Sequence, residues 1–253
     1  MKQIQFNKQL ILDFYSQVIG QRDINYAHTI IAEDYIQHNP FIQSGRAGVI
    51  AVLEQLKQVP QDPNAAANNT LWVMNEGNLL GTYLKVDFMG KKQIVMDLFR
   101  VDQGLIVEHW DAIQETDTPR FMEIPAIPEM INEVKTTNIY QNKHRVQTYL
   151  REVWQKQQYQ LLDEFVSPNV AFYHPAMGKK EDKLQAYQQS ITLQKAHRVI
   201  AEGDFVMVQC SAAIQGEASV LYLIYRLEQG KIAEGWSASQ SVPAQALHHN
   251  GMI

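Results

Sequence analysis

Phe99 to Gln114 reads FRVDQGLIVEHWDAIQ, and Tyr225 to Gln240 reads YRLEQGKIAEGWSASQ. The two stretches align without a gap at an offset of 126 residues (225 against 99) and share eight of sixteen positions, where chance gives about one. Two weaker echoes precede them in the same order. YIQHNP (35–40) is echoed by FYHP (172–175), and Asn75-Glu76-Gly77-Asn78 by Ala201-Glu202-Gly203-Asp204. A duplicated domain accounts for all three.

Working outward, Pro119, Pro125 and Pro128 follow the first long stretch, at a density that breaks helices and central strands. This divides the chain into a first domain, 1–118, a linker, 119–138, and a second domain, 139–253. Each domain has the same grammar. Apolar residues at helical spacing predict helices over 7–20, 22–34 and 46–58, with His38-Asn39-Pro40 ending the second. Period-two patterns then predict strands over 69–76, 79–89, 92–101 and 105–114, joined by tight turns at Glu76-Gly77-Asn78, Met89-Gly90-Lys91 and Asp102-Gln103-Gly104. The second domain predicts helices near 142–157, 158–166 and 180–194 and strands over 196–202, 205–214, 217–228 and 231–240. The fold class is α+β: in each copy, three helices pack on a curved antiparallel sheet. The absence of βαβ alternation and of a glycine-rich phosphate loop disfavours a dinucleotide fold.

Composition narrows the function. Of 253 residues, 45% are apolar and 19% charged, with a net charge of −5, which is ordinary globular usage. No basic patch suits nucleic acid. No run is long enough to span a bilayer, and the polar first twenty residues do not form a signal-peptide core. One cysteine, Cys210, leaves no intramolecular disulfide or cysteine metal cluster. A cytoplasmic protein is expected.

YIQHNP, a glycine-led helix at Gly45 and MDLFRVDQGLIVEHWDAIQ together resemble the SnoaL-like polyketide cyclase family of the nuclear transport factor 2-like superfamily. The second copy resembles it through HRVIAEGDFVMV, YRLEQGKIAEGW and the terminal SVP…NGM. The resemblance implies a cystatin-like cone, a curved sheet around a deep pocket, and pairing through the outer sheet face. It also implies that Asp111, matching the acidic residue of the family's last strand, acts as general acid/base. Asp97 matches a pocket position that is histidine in the founding cyclase, a departure that puts an anion in place of a donor.

Strand alternation reaches the same residues. With a three-residue loop at Asp102-Gln103-Gly104, Phe99 pairs with Val107 and Asp97 with His109, so Asp97, His109 and Asp111 share one face. Two carboxylates and an imidazole in an apolar hollow tune one another's pKa values toward neutrality. His38, after the second helix, is expected at the mouth, with Phe99 and Tyr35 as substrate-contacting residues. Plainer readings stand beside these: solvated strand carboxylates, a cross-strand partner at His109, a turn-forming His38. Metal binding has no motif behind it, and neither a metal nor an organic cofactor is expected.

In the second copy the three positions become Leu223, Gly235 and Ser237, none of them a base. That copy is either structural or holds an apolar ligand, with Tyr173 and His174 near its mouth. His248 and His249 are read as solvent-exposed. Two functions remain open. One is acid/base isomerisation or aldol-type cyclisation of an apolar carbonyl compound in the first domain. The other is a non-catalytic binding protein for a small hydrophobic molecule, or a scaffold. The outer faces, with Ile94, Met96, Leu98, Ile106 and Trp110 against Tyr222, Ile224, Ile232 and Trp236, are expected to pair within one chain or between two.

Overall fold

A computed structural model describes residues 2–60, 70–88, 90–128, 138–176, 178–180 and 184–253. The turn after Pro60, Met89 of the second hairpin and residues 129–137 of the linker fall outside them.

The first half opens with α1 (Lys2–Asp13), which widens into a π-helical turn over Phe14–Gly20, then α2 (Ile24–Ile30) and α3 (Arg46–Lys57). Its sheet has five strands: β1 (Ile31–Gln37), β2 (Thr70–Glu76), β3 (Leu79–Phe88), β4 (Lys91–Asp102) and β5 (Leu105–Glu115), in the order β1-β5-β4-β3-β2. The second half repeats the plan with β6 (Val166–His174), β7 (Gly178–Lys180), β8 (Ile191–Glu202), β9 (Phe205–Ile214), β10 (Glu217–Glu228) and β11 (Lys231–Ser241), in the order β7-β6-β11-β10-β9-β8. It carries a π-helical turn in the same place, Leu150–Gln155. Among the described residues no helix is long and apolar enough to cross a membrane.

The α+β plan of two tandem units is therefore the observed one, with differences in detail. The helix expected over 22–34 stops at Ile30, and Ile31–Gln37 is a strand parallel to β5. Ile30 and Ile31 fit a helical face and a buried strand equally well, and periodicity alone does not separate the two. The second half has the counterpart strand, β6, parallel to β11, where no strand is expected after the helix near 158–166. The helix expected over 180–194 gives way to β8 at Ile191.

The turn between β4 and β5 differs from the expected three-residue loop. Gln103 and Gly104 both have positive φ, 48° and 81°, and Asp102 pairs with Leu105, a two-residue hairpin turn of the kind that matches strand twist. Val107 is then an extra residue, since Arg100 pairs with Glu108 but Val101 with Ile106. This bulge restores the parity that the shorter loop would have reversed. Asp97 thus pairs with Asp111 and Phe99 with His109, not with His109 and Val107. The second half repeats the bulge at Ala233.

The bulge also corrects the outer face. Ile106 and Ile232, one residue before it, point inward into the cores of their own halves. Ile94, Met96, Leu98 and Trp110 do meet Tyr222, Ile224 and Trp236 in one buried cluster shared by the two sheets. The polar contacts at its margins are reciprocal. Gln240 Oε1 accepts from the Ile113 N–H and Gln114 Oε1 from the Ser239 N–H, both at 2.8 Å. Glu202 accepts from the Asn75 N–H at 2.6 Å and Glu76 from the Ala201 N–H at 2.7 Å. Lys8 pairs with Glu202 and Lys143 with Glu76. Residue i contacts j and the counterpart of j contacts the counterpart of i, the pattern of an isologous interface inside one chain.

Candidate functional site

The inner face of the first sheet and its helices enclose a cavity of about 890 Å³. Its wall is mostly apolar, with Ile19, Val52, Leu56, Leu84, Val86 and Ile113 among the lining residues. Asp97, His109 and Asp111 break that wall together. They are buried, and each offers a ligating atom within 4.8 Å of the others'.

The bonding around His109 assigns its protons. Gln37 Oε1 accepts from the backbone N–H groups of His38 and Asn39, both at 2.9 Å, which fixes that atom as the carbonyl oxygen. His109 Nδ1 lies 3.1 Å from it and therefore donates. His109 Nε2 faces Asp97 Oδ1 at 3.0 Å. Asp97 Oδ2 accepts from the Tyr15 hydroxyl at 2.6 Å and the Thr82 hydroxyl at 2.8 Å. Donors converging on both oxygens suit a carboxylate, so the proton of the Asp97–His109 bond sits on the imidazole. Burial alone pulls the His109 pKa down. The hydrogen bond to Asp97 and the charges of Asp111 and Asp97 outweigh it, leaving the pKa above the ordinary histidine value.

Asp111 is bound differently. Its Oδ2 accepts from the Asn39 side-chain amide at 2.6 Å, while its Oδ1 is buried without a partner among the described residues. Burial first, then the Asp97 charge, raise its pKa to about 6, against the lowering pull of His109 and Asn39. A carboxylate with one unpartnered oxygen, titrating near neutrality in a residue that lines the cavity, is suited to exchange protons with a bound molecule. Asp97, His109 and Asp111 are also acceptable metal ligands, but a cation held by all three would have to break the Asp97–His109 bond.

The remaining expected residues fall in different places. Tyr35 lines the cavity and its hydroxyl accepts from the Gln37 amide at 3.2 Å. Phe99 lies behind the site, fully buried and stacked on His109 with ring centroids 4.5 Å apart. His38 is not at the mouth. As the residue after β1 it falls on the outer side, stacked on Trp110, with Nε2 2.9 Å from Glu108 and Nδ1 2.8 Å from the Gly251 carbonyl. Burial sets its pKa below the ordinary value.

Tyr173 takes His38's place in the second half, stacked on Trp236, which puts His174 at the position of Asn39 and not of His38. His174 is buried against Tyr187, accepts from the Ala176 N–H and is held neutral by burial, with its pKa near 4. Tyr173 and His174 thus lie on opposite sides of their sheet and do not converge on one ligand group.

Tyr15, Gln37, Asn39 and Thr82 are site residues that strand alternation in β4 and β5 cannot find. A position-by-position comparison of the two halves holds the missing signal. The interface fixes offsets of 126 for β2 to β5 and 135 for the N-terminal helix (Lys143 for Lys8), and the parallel pairings of β1 with β5 and β6 with β11 carry the 135 offset through β1. On them Tyr15 becomes Leu150, Thr82 becomes Val208 and Gln37 becomes Phe172. The Phe172 ring fills the space a side chain at Gly235 would need: a Cβ there would stand 2.5 Å from Phe172 Cδ2.

No family model matches the chain, and no curated protein matches it. Solved structures do match, each with under half of this chain. IdmH, a candidate polyketide cyclase from Streptomyces antibioticus, is 16% identical over 40% of this chain and 92% of its own, with a TM-score of 0.34. A candidate SnoaL-like polyketide cyclase from Jannaschia sp. CCS1 is 18% identical over 42% and 90%, TM-score 0.36. A candidate ketosteroid isomerase from Kribbella flavida DSM 17836 is 11% identical over 46% and 90%, TM-score 0.38. The chain is similar to such proteins in a segment the size of one of its halves.

Proposed function

We propose that the chain is an acid/base catalyst of a small apolar carbonyl compound, working in the cavity of a first domain spanning 1–118. A linker, 119–138, and a second domain without acid/base chemistry, 139–253, follow. Asp111 Oδ1 takes a proton from the carbon beside the substrate carbonyl, and the electron pair of that C–H bond passes into an enolate. The His109 imidazolium, held by Asp97 and Gln37, acts through its positive charge to stabilise the developing negative charge. In isomerisation the Asp111 carboxylic acid returns the proton to a different carbon. In aldol-type cyclisation the enolate carbon bonds to a second carbonyl carbon of the same molecule, and the acid protonates the resulting alkoxide. Neither route needs a redox partner. The second domain stands in for the other subunit of a dimer by covering the outer sheet face. The protein is placed in the cytoplasm, where Cys210 stays a free thiol.

The buried, unpartnered oxygen of Asp111 beside a protonated imidazole carries this reading. The test is deuterium uptake at the α-carbon of cyclic ketones and 1,3-diketones in D₂O, followed by mass spectrometry. The expected result is accelerated uptake that Asp111→Asn slows about 10²–10⁴-fold. Binding of these compounds in the cavity with no accelerated exchange would support a non-catalytic binding protein, which the apolar wall also suits.

A further inference from the structure

After β11 ends at Ser241 the chain leaves its own sheet and crosses to the first half. Four of its residues bind the loop that follows β1. The Leu247 N–H donates to the Pro40 carbonyl at 2.9 Å, and His248 Nε2 donates to the Asn39 carbonyl at 2.8 Å. The Asn250 side-chain amide donates to the Gln37 carbonyl at 2.8 Å and to Ser44 Oγ at 3.0 Å. The Gly251 carbonyl accepts from His38 Nδ1 at 2.8 Å. Met252 then anchors the strap, buried in the apolar cluster between the sheets.

Every residue from Gln37 to Pro40 is held at a main-chain or ring atom by this strap. Two of the four bind the acid/base groups through their side chains: Gln37 to His109 and Asn39 to Asp111. The equivalent segment of the first half also reaches across, with Thr116 Oγ1 donating to the Pro175 carbonyl at 2.5 Å. The loop it meets carries no acid/base partner, so only the strap of the second half has a site to act on.

We propose that residues 247–251, in the half that lacks the acid/base cluster, are positioning residues for the first half's site, fixing the 37–40 loop so that Asn39 and Gln37 stay bonded to Asp111 and His109. The proposal rests on the site assigned above and not on its reaction. It also gives the second copy a use beyond covering the sheet. With the strap released, the Asn39 amide is free to leave Asp111. The titratable groups still around Asp111 are then the His109 imidazolium, the Asp97 carboxylate and the buried hydroxyls of Tyr15, Tyr35 and, from β10, Tyr222. Loss of a donor from the ionised form raises a carboxyl pKa.

The experiment is a ¹³C NMR titration of the Asp111 carboxyl in the full-length chain and in His248→Leu, Asn250→Ala and the double variant. Asn39→Leu, made alone and combined with the double variant, is the reference. The expected result is a rise of about one pH unit in the Asp111 midpoint in the strap variants, no further rise on adding Asn39→Leu, and recovery in His248→Gln, which keeps a donor. Folded strap variants with an unchanged midpoint, or shifts that add to that of Asn39→Leu, would overturn the proposal. If the double variant does not fold, the two single variants and the His248→Gln rescue decide it. The readout needs no substrate, so failure of the proposed reaction and failure of the strap are separate results.

Discussion

Asp97 and Asp111 stand directly opposite each other in the β4–β5 ladder, both buried on the cavity wall. Like charges in that position repel, and His109 separates their roles. It bonds to Asp97 and leaves one Asp111 oxygen open. Asp97→Asn removes the charge that holds the imidazolium and leaves at most a neutral hydrogen bond in its place, so burial then dominates. The His109 pKa is expected to fall from above to below the ordinary histidine value, read by ¹⁵N NMR of the imidazole. An unmoved His109 titration would mean that Asp97 is not its partner.

Turnover inherits two proton requirements. Asp111 must be ionised to accept a proton, so kcat/KM is expected to rise through about pH 6. It should fall again where His109 loses its proton, above the ordinary histidine range. A stopped pH profile on any compound that shows α-proton exchange checks both limbs. A flat acidic limb would remove Asp111 from the role of base.

The duplicated α+β plan and three of the site residues were legible because they depend on strand parity and on a gapless repeat. The pairing partners were not. Val107 as a bulge residue is an ordinary strand residue in sequence, and it moves Asp97 from His109 to Asp111 while keeping the shared face. The placement of His38 depends on whether the helix expected over 22–34 stops at Ile30, where Ile30 and Ile31 satisfy either period. Tyr15 looked like one more apolar helix position. Its hydroxyl matters only because the fold brings it 2.6 Å from Asp97, 82 residues away. The strap is invisible for a similar reason: His248 reads as a solvent-exposed tail residue, and nothing local to HHNGM says that it crosses to Asn39.

The site should cost stability at neutral pH. Asp111 has a folded pKa of about 6 against an unfolded value near 3.8. A carboxyl raised on folding adds stability that is fully present below the unfolded value and is lost as pH rises through the folded one. Asp111→Asn keeps an acceptor for Asn39 without the buried charge. It is expected to be more stable than the parent chain by about 2–3 kcal/mol at pH 7, the gap closing by about pH 4. Urea unfolding at both pH values measures it, and an equal difference at the two would contradict the raised pKa.

At the position of His109 the second half is filled by the Phe172 ring, and that filling is testable. Gly235 occupies the His109 position, with the Phe172 ring where a side chain would stand and Tyr225 3.2 Å from the same point. Gly235→Ala should therefore overpack a closed interior and cost about 1–3 kcal/mol. Phe172→Leu alone removes ring contacts and costs stability for the opposite reason, by leaving space. Combined, each change relieves the other, so the double variant is expected to lose clearly less than the sum of the singles, as residues in direct contact do. Strict additivity in urea unfolding would show that Phe172 does not occupy the place of the missing side chain, and that the second half lost its acid/base cluster without its interior closing around the vacancy.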